Sequence, residues 1–527
     1  MTGADASPAP AGARASWLGL GLTAVLLLAS FPPFGHPFVA FLALVPAALA
    51  AAEAPDHRRW RRAAFGTSWL LWIALLAWLR HVYPPLGWLG LVALTAYCAL
   101  YLWAWLLALR WLLPACDGAG LAARLLAMLG LAGAWGLLEW ARGTFLTGFG
   151  WLPLAASQQG NPVMLTLCAW VGPTGLSMGL VLVNLGLASW IIRLRRFRRA
   201  DAALTPLGPM DWARRLTPEL YLGLAVIAAG FALTLTEAAR RTPRQVVRLA
   251  AVRTHFDPTE KWRPERLRQQ AEALAAATAT ARAERPDLIL WPEAALSPLL
   301  DEPGYAGFLR TQAAGTTLVV GAIERRGGGY ANSVAAVTPE GVQRPTYAKR
   351  HLVPFGEYVP GADWLPLRKV VPIAEDCVAG QAPTLLPLTT REGFTYLAGP
   401  LVCYEDVFPQ LAREHALAGA DLLLVVTNDG WYGREAADAQ HTAHSVLLAA
   451  ATGLPVARAG NEGWTGVITP RGLLRPTGDG APAIQLAEVR APRGEATLWV
   501  RRGDWILAVG GLALAGAYVW RRRRTAR

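Results

Sequence analysis

Leu401-Val402-Cys403-Tyr404-Glu405-Asp406 closes an apolar run that opens with Thr395-Tyr396-Leu397-Ala398-Gly399-Pro400. A lone thiol in that position is presented where a strand turns sharply, which is the placement a nucleophile needs. Two stretches upstream carry the partners of a cysteine enzyme. Leu288-Ile289-Leu290-Trp291-Pro292-Glu293 ends an apolar strand on a carboxylate, and Tyr347-Ala348-Lys349-Arg350-His351-Leu352-Val353-Pro354-Phe355-Gly356-Glu357-Tyr358-Val359-Pro360 brings a lysine and a glutamate. A free thiol titrates near ~8.5, so at neutral pH it needs a base beside it. Glu293 is the candidate base, because the Trp291-Pro292 step fixes it at a strand end.

Acyl transfer also requires a fixed positive donor where a carbonyl oxygen becomes an oxyanion. Lys349 is the candidate, one of only three lysines (Lys261, Lys349, Lys369) in an arginine-rich chain. Read singly, Glu293 would be a surface carboxylate and Lys349 a solvated cation. Glu357 and Glu405 are supporting candidates that would hold Lys349 charged or orient the base. The Tyr404 N–H, directly after the thiol, is a natural second oxyanion donor. Asn332 is either a polar orienter or a turn asparagine.

Composition places this chemistry at a membrane. The 527 residues are long enough for more than one folding unit, and 54% hydrophobic residues with 23 tryptophans describe a membrane protein. The net charge of +13 is not spread evenly. Residues 246–503 hold 26 basic and 27 acidic side chains, so the excess sits in arginine clusters between apolar runs. That pattern is an orientation signal and argues against nucleic-acid binding. Cys98, Cys116, Cys168, Cys377 and Cys403 show no metal-ligand spacing, and nothing indicates a metal or an organic cofactor. Cys377 and Cys403 share the polar region, and a disulfide between them would silence the thiol.

Apolar runs near 16–33, 36–53, 63–81, 87–113, 119–140, 163–192 and 217–237 are read as seven spans, about 20 residues being needed for each. The first is read as a retained span rather than a cleaved signal peptide. An eighth follows at 504–520. Residues 1–240 thus form an N-terminal helical bundle, 246–500 a globular α/β domain, and 504–527 a last span with a basic tail. The arginines at 58–62, 110–124, 193–215 and 521–527 fall in alternate loops, which the positive-inside rule makes cytoplasmic. The 246–500 domain then faces away from the cytoplasm. Within it, strands are expected at Val247–Val252, Leu288–Leu290, Thr317–Ile323, Tyr396–Val402, Leu422–Val426 and Gly466–Ile468, with helices at Pro264–Ala283 and Ala439–Ala451. Between spans five and six, Glu139 to Trp151 is rich in glycine and aromatics. It is either a re-entrant substrate surface or an aromatic belt, and Glu139 and Arg142 are spaced to pair with each other.

Glu in a WPE step, Lys in a YxK step and Cys in a CYE step, in that order, resemble the Glu–Lys–Cys triad of the nitrilase superfamily. The longer stretches Tyr347 to Pro360 and Leu401 to Pro409, with Thr427-Asn428-Asp429-Gly430-Trp431-Tyr432-Gly433 and Gln440-His441, are similar to the apolipoprotein N-acyltransferase family. Glu139 to Arg142 and Thr147 to Trp151 look like its re-entrant loop. The resemblance implies an αββα sandwich on a bundle of about eight spans in a bacterial inner membrane, the domain facing the periplasm. It implies Glu293 as general base, Lys349 as oxyanion stabiliser and Cys403 as acylated nucleophile, with Glu357, Tyr404 and Glu405 in support. Trp431, Asn332, Arg142 and Trp151 become candidate substrate-binding residues. The implied reaction moves an acyl chain from a phospholipid, typically phosphatidylethanolamine, through a cysteine thioester to the α-amine of the diacylglyceryl-cysteine that begins a lipoprotein. A monomer and no cofactor are implied. The chain departs from the family after His441, where Leu448, Ala451 and Leu454 replace charged residues. A membrane-tethered carbon–nitrogen hydrolase needs only one span, and a scaffold would not need Glu293, Lys349 and Cys403 intact.

Overall fold

The structure, a computed structural model, describes residues 11–526 apart from 55, 83–85, 201–216, 241–244, 362–367, 369–374, 434–435, 477–483 and 492–495. It divides into two units. The first comprises residues 1–167, 171–235 and 504–527, and the second residues 168–170 and 236–503.

The first unit is helical: α1 (Ala11–Ser30), α2 (Val45–Glu53), α3 (His57–Leu75), α4 (Leu86–Leu112), α5 (Leu121–Arg142), α6 (Cys168–Ala200), α7 (Pro218–Arg240) and, from the chain's end, α13 (Trp505–Thr525). By length and composition, four of the described helices are able to cross a membrane: Leu86–Cys116, Leu121–Arg142, Cys168–Arg196 and Pro218–Thr236. Leu18, Leu70, Leu89, Leu235 and Leu512 are exposed on the helices, as lipid-facing leucines would be.

Three expected spans need correction. The run 36–53 is not one helix but a 3-10 turn (Pro37–Phe41) followed by the nine residues of α2. Nine residues rise about 14 Å against a hydrocarbon core of about 30 Å. Proline at the first turn of each piece restarts the chain rather than continuing it. The run 63–81 starts earlier, at His57, because the Asp56 side chain accepts the Arg58 N–H and caps the helix, and it ends at Leu75. The run 163–192 is broken where Gly172 takes φ 70°, ψ 176° before Pro173. The C-terminal helix α13 lies against α5 with backbones close enough that a Cβ on Gly133 would fall 2.2 Å from the Gly510 carbonyl. Small residues are what permit such helix contacts in a bilayer.

The second unit is a four-layer sandwich. One sheet has the order β13 (Ile484–Ala491), β1 (Gln245–Val252), β2 (Leu288–Leu290), β3 (Thr317–Arg326), β4 (Gly329–Thr338) and β5 (Gly341–Val342), with β6 (Tyr347–Ala348) also on β4. The other runs β12 (Leu474–Pro476), β11 (Gly466–Ile468), β10 (Val456–Asn461), β9 (Leu422–Asn428), β8 (Thr395–Val402) and β7 (Leu386–Thr389). β1, β2 and β3 are mutually parallel, as are β8, β9 and β10. Side chains alternate across each strand. Val247, Leu249 and Ala251 therefore join Ala398, Leu424 and Val426 of the other sheet in one core, while Ala250 and Val252 face a second core. That second core is closed by α8 (Pro264–Ala283) and α9 (Pro303–Gln312) through Leu274, Ala277, Tyr305 and Leu309. Helices α10 (Pro409–Leu417) and α11 (Ala437–Thr452) pack on the second sheet, and the short α12 (Leu498–Arg502) packs on both. Buried on both faces, β2 and the first five residues of β9 read in sequence as unbroken apolar runs.

Candidate active site

Strand ends of both sheets supply the site. Beyond β2, the Trp291 ring is buried with its N–H donated to Thr278, and the chain turns through Pro292 to place Glu293 in a buried position. The Asn332 side chain, on β4, donates to Glu293 at 2.7 Å and to Glu357 at 3.1 Å. Lys349 follows β6, which pairs with β4, and its N–H donates to the Asn332 carbonyl. The Lys349 ammonium is 1% exposed and meets Glu357 Oε2 at 2.8 Å, with Glu293 Oε1 at 4.0 Å. Burial alone would push that ammonium down. Glu357 and then Glu293 outweigh it and hold Lys349 above its ordinary range, so it is charged at neutral pH.

Cys403 directly follows β8 with φ 50°, a left-handed conformation that a side chain adopts only where its surroundings enforce it. Glu405 is a large part of that enforcement. Its fully buried carboxylate accepts the N–H groups of Val402, Arg350 and His351 and the Tyr347 hydroxyl. It therefore ties the Cys403 turn to the Lys349 segment, while Glu357 serves Lys349 directly. The Tyr404 ring packs edge-on against Phe408. Burial and then the Glu293 charge raise the Cys403 thiol well above the ordinary range, with Lys349 and the Thr427 hydroxyl opposing. The thiol is therefore protonated at rest and needs a base at the moment of attack. Cys377 and Cys403 are both free thiols, so the disulfide alternative is not realised.

A second group of charges lies behind the thiol on the other sheet. His441 Nε2 sits 2.8 Å from Asp406 and Nδ1 2.7 Å from Asp429, and Arg458 reaches the same carboxylates at 2.6 Å and 2.9 Å. Ser445 and Thr427 donate to Asp406 and Asp429. Two carboxylates face two cations, all but excluded from solvent. Burial opposes the charge on His441, but Asp406 and Asp429 win and its imidazole is pushed up to about 9. The same pairing keeps Asp406 and Asp429 below the usual carboxylate range. His441 Nε2 also lies 3.3 Å from the Cys403 carbonyl, so the group supports the nucleophile's backbone.

The remaining candidates are placed as follows. Trp431 is half-buried in the turn after β9, next to Tyr432, whose hydroxyl is hydrogen-bonded to the Cys403 sulfur. In the helical unit, Arg142 and Glu139 do not pair but hold the segment that follows α5. Arg142 donates to the carbonyls of Phe149 and Trp151 at 2.9 Å and 2.6 Å, and Glu139 accepts the Leu154 N–H at 2.7 Å. Both line a cavity of about 50 Å³ with Trp72, Trp105 and Trp135. Trp151 is buried and stacked on Phe149. Leu448 and Ala451 are fully buried on α11, and Leu454 nearly so after its C-cap Gly453. Apolar side chains therefore fill the positions that carry charge in the family pattern.

Sequence reasoning missed Tyr432, the joint role of Asp406, Asp429, His441 and Arg458, and Lys261. The signal for the acidic pair was faint: each aspartate follows a largely apolar strand by one to four residues, where a surface carboxylate is the ordinary reading.

Two family models match the chain, one in each unit. Residues 23–186 match the apolipoprotein N-acyltransferase N-terminal domain and residues 248–481 the carbon–nitrogen hydrolase domain. A CN-hydrolase superfamily protein of Xanthomonas campestris aligns at 20% identity over 47% of this chain and 92% of that one, with a TM-score of 0.35. The apolipoprotein N-acyltransferase of Geobacter metallireducens is 32% identical over 531 residues, covering 97% of this chain and 96% of that protein. That of Brucella suis is 31% identical, with 96% and 95% covered. With relatives of that identity matched over nearly their whole length, this chain belongs to the apolipoprotein N-acyltransferase family.

Proposed function

We propose that the protein is an apolipoprotein N-acyltransferase that moves a fatty acyl chain from a phospholipid to Cys403, and from there to the α-amine of an N-terminal diacylglyceryl-cysteine. In the first step Glu293 takes the thiol proton as sulfur attacks the ester carbonyl. Lys349 and the Tyr404 N–H stabilise the oxyanion, the ester C–O bond breaks, and the lysophospholipid alcohol leaves with the proton from Glu293. In the second the acceptor amine attacks the thioester and gives its proton to Glu293. The amide C–N bond forms as the acyl C–S bond breaks, and Glu293 passes the proton to the departing sulfur, which restores the thiol. A thioester suits this exchange because it remains reactive toward an amine.

The observation that carries the reading is a buried thiol whose turn Glu405 ties to the Lys349 segment, with Lys349 4.0 Å from Glu293, in a chain with helices long and apolar enough to cross a membrane. Glu357 and Asn332 position the lysine and the base, and Glu405 sets the distance between the Lys349 and Cys403 segments. Trp431 borders the acceptor. Arg142 and Trp151 act by shaping the segment from residue 143 to 158, since the Arg142 N–H groups are spent on its backbone. The arginine clusters in alternate loops support a catalytic domain in the periplasm, on a helical bundle in a bacterial inner membrane; phosphatidylethanolamine as donor and a monomeric enzyme rest on the family resemblance alone.

The test is a reconstituted assay: full-length protein in phosphatidylethanolamine vesicles with a synthetic diacylglyceryl-cysteine peptide, read by mass spectrometry. The expected product is the peptide one acyl chain heavier and blocked at its amine, absent with Cys403→Ala. Amide hydrolysis of small substrates with no acylated peptide would contradict the transferase and favour the tethered hydrolase.

A further inference from the structure

Lys261 has no part in the steps above, yet it is 1% exposed. Its ammonium donates one hydrogen bond, 2.9 Å to the backbone carbonyl of Glu293. No carboxylate among the described residues pairs with it: the adjacent Glu260 is taken by Arg263 and Arg266, and the nearest charge to which it couples is Glu293. Burying an ammonium on a single neutral acceptor is unfavourable, and desolvation pushes Lys261 down to about 8. A methionine would fill the space at lower cost. The fold keeps a cation instead, and it keeps it on the peptide unit that carries the base.

That peptide unit is gripped from both sides. On β3, a Cβ at Gly321 would fall 2.5 Å from the Pro292 carbonyl and 2.6 Å from the Glu293 Cα, so only glycine lets the segment pass. The Gly321 carbonyl accepts the Ala295 N–H. Across from it, Lys261 holds the Glu293 carbonyl, and its own N–H is fixed on the Asp257 carbonyl. The groups that face the Glu293 carboxylate are the Asn332 amide at 2.7 Å, Lys349 at 4.0 Å and, by electrostatic coupling, Cys403, Cys377, Tyr432 and Lys261. Glu357 lies on the far side of Asn332. Lys349 is paired at 2.8 Å with Glu357 and stands 4.0 Å from Glu293, so Lys261 is a second cation that couples to the charge of the base.

We propose that Lys261 is a positioning residue for Glu293, clamping its backbone against Gly321 and supplying the positive charge that balances its carboxylate. This rests on Glu293 acting as base toward Cys403, so the test uses a readout that needs no lipid. The full chain in detergent is treated with iodoacetamide, and the rate of Cys403 alkylation is followed by peptide mass from pH 5 to 9. Lys261→Met is expected to slow alkylation about tenfold at neutral pH and to move the acidic limb of the profile up by about one unit, because a cation beside the carboxylate is gone. Lys261→Arg restores the limb. Lys261→Gln, which keeps a donor for the carbonyl but no charge, gives the shifted limb with a smaller loss of rate, and it serves if the methionine variant does not fold. A wild-type profile in both neutral variants overturns the proposal. So does a loss of rate whose pH profile is unmoved, which marks a structural role only. Glu293→Gln is the control for the underlying reading: if it leaves alkylation unchanged, Glu293 is not the base, whatever Lys261 does.

Discussion

Two groups of buried charge adjoin Cys403, one on each sheet, and they are built differently. In the group formed by Asp406, Asp429, His441 and Arg458, every cation meets both carboxylates and two hydroxyls complete the set. In the group formed by Glu293, Lys349 and Glu357, the pairing is lopsided: Glu357 takes the ammonium at 2.8 Å, and Glu293 stands off at 4.0 Å. A closed set of charges holds backbone in place. A carboxylate left short of a full ion pair remains available to take a proton. Buried charge in itself does not tell scaffold from chemistry, but the completeness of its pairing does.

The comparison can be broken most severely from the closed side. Arg458→Met leaves two carboxylates facing one imidazolium, and loss of one partner of a buried ion pair costs about 3–5 kcal/mol. Chemical denaturation in detergent is expected to show that loss, and a cost under about 1 kcal/mol would mean the group is not a scaffold. On the open side, Lys349→Met is expected to lower the acylation rate of Cys403 about 10²–10³-fold while the circular dichroism spectrum holds, the penalty for losing an oxyanion donor. A large loss of stability with little loss of rate per folded molecule would invert the assignment of the two groups.

The pH dependence separates them more finely. His441 is raised to about 9 in the folded protein. Its contribution is fully present below the unfolded value near ~6.5 and is lost as pH rises through about 9. Unfolding stability should fall over that window, and the fall should flatten in His441→Gln. An equal slope in the variant would remove His441 from the explanation. The smallest effect belongs to Tyr347→Phe, which deletes one of the four donors to Glu405 and should cost about 1 kcal/mol, read by the same denaturation curve.

What the sequence made legible follows from range. The six expected strands and the helix Pro264–Ala283 lie where apolar runs and turn residues put them, because local pattern dictates local structure, whereas β4, β10 and β13, whose sequences carry Asn332, Arg458 and Glu488, were not expected. The disposition of Glu293, Lys349 and Cys403 could be anticipated as three strand ends, each a short motif. Long-range facts were invisible. Nothing near Glu405 says that its carboxylate will collect donors from residues 347 to 351, and nothing near Lys261 says that it will reach a carbonyl 32 residues away. In the helical unit, hydropathy identified apolar runs but not their continuity. Between His36 and Glu53 the residues are apolar throughout, and Pro37 and Pro46, which start the two pieces, carry the information that hydropathy averages away. Arg142 was legible as unusual, but its role as the staple of the following segment depends on carbonyls seven to nine residues on.

The most direct test of Cys403 as the acyl carrier is an acid-quenched incubation of the full-length protein with phosphatidylethanolamine, without acceptor, followed by intact mass and peptide mapping. The expected result is one added acyl chain on Cys403, removed by hydroxylamine and absent in Cys403→Ala. A protein that stays at its unmodified mass, or carries the chain on another residue, would contradict it.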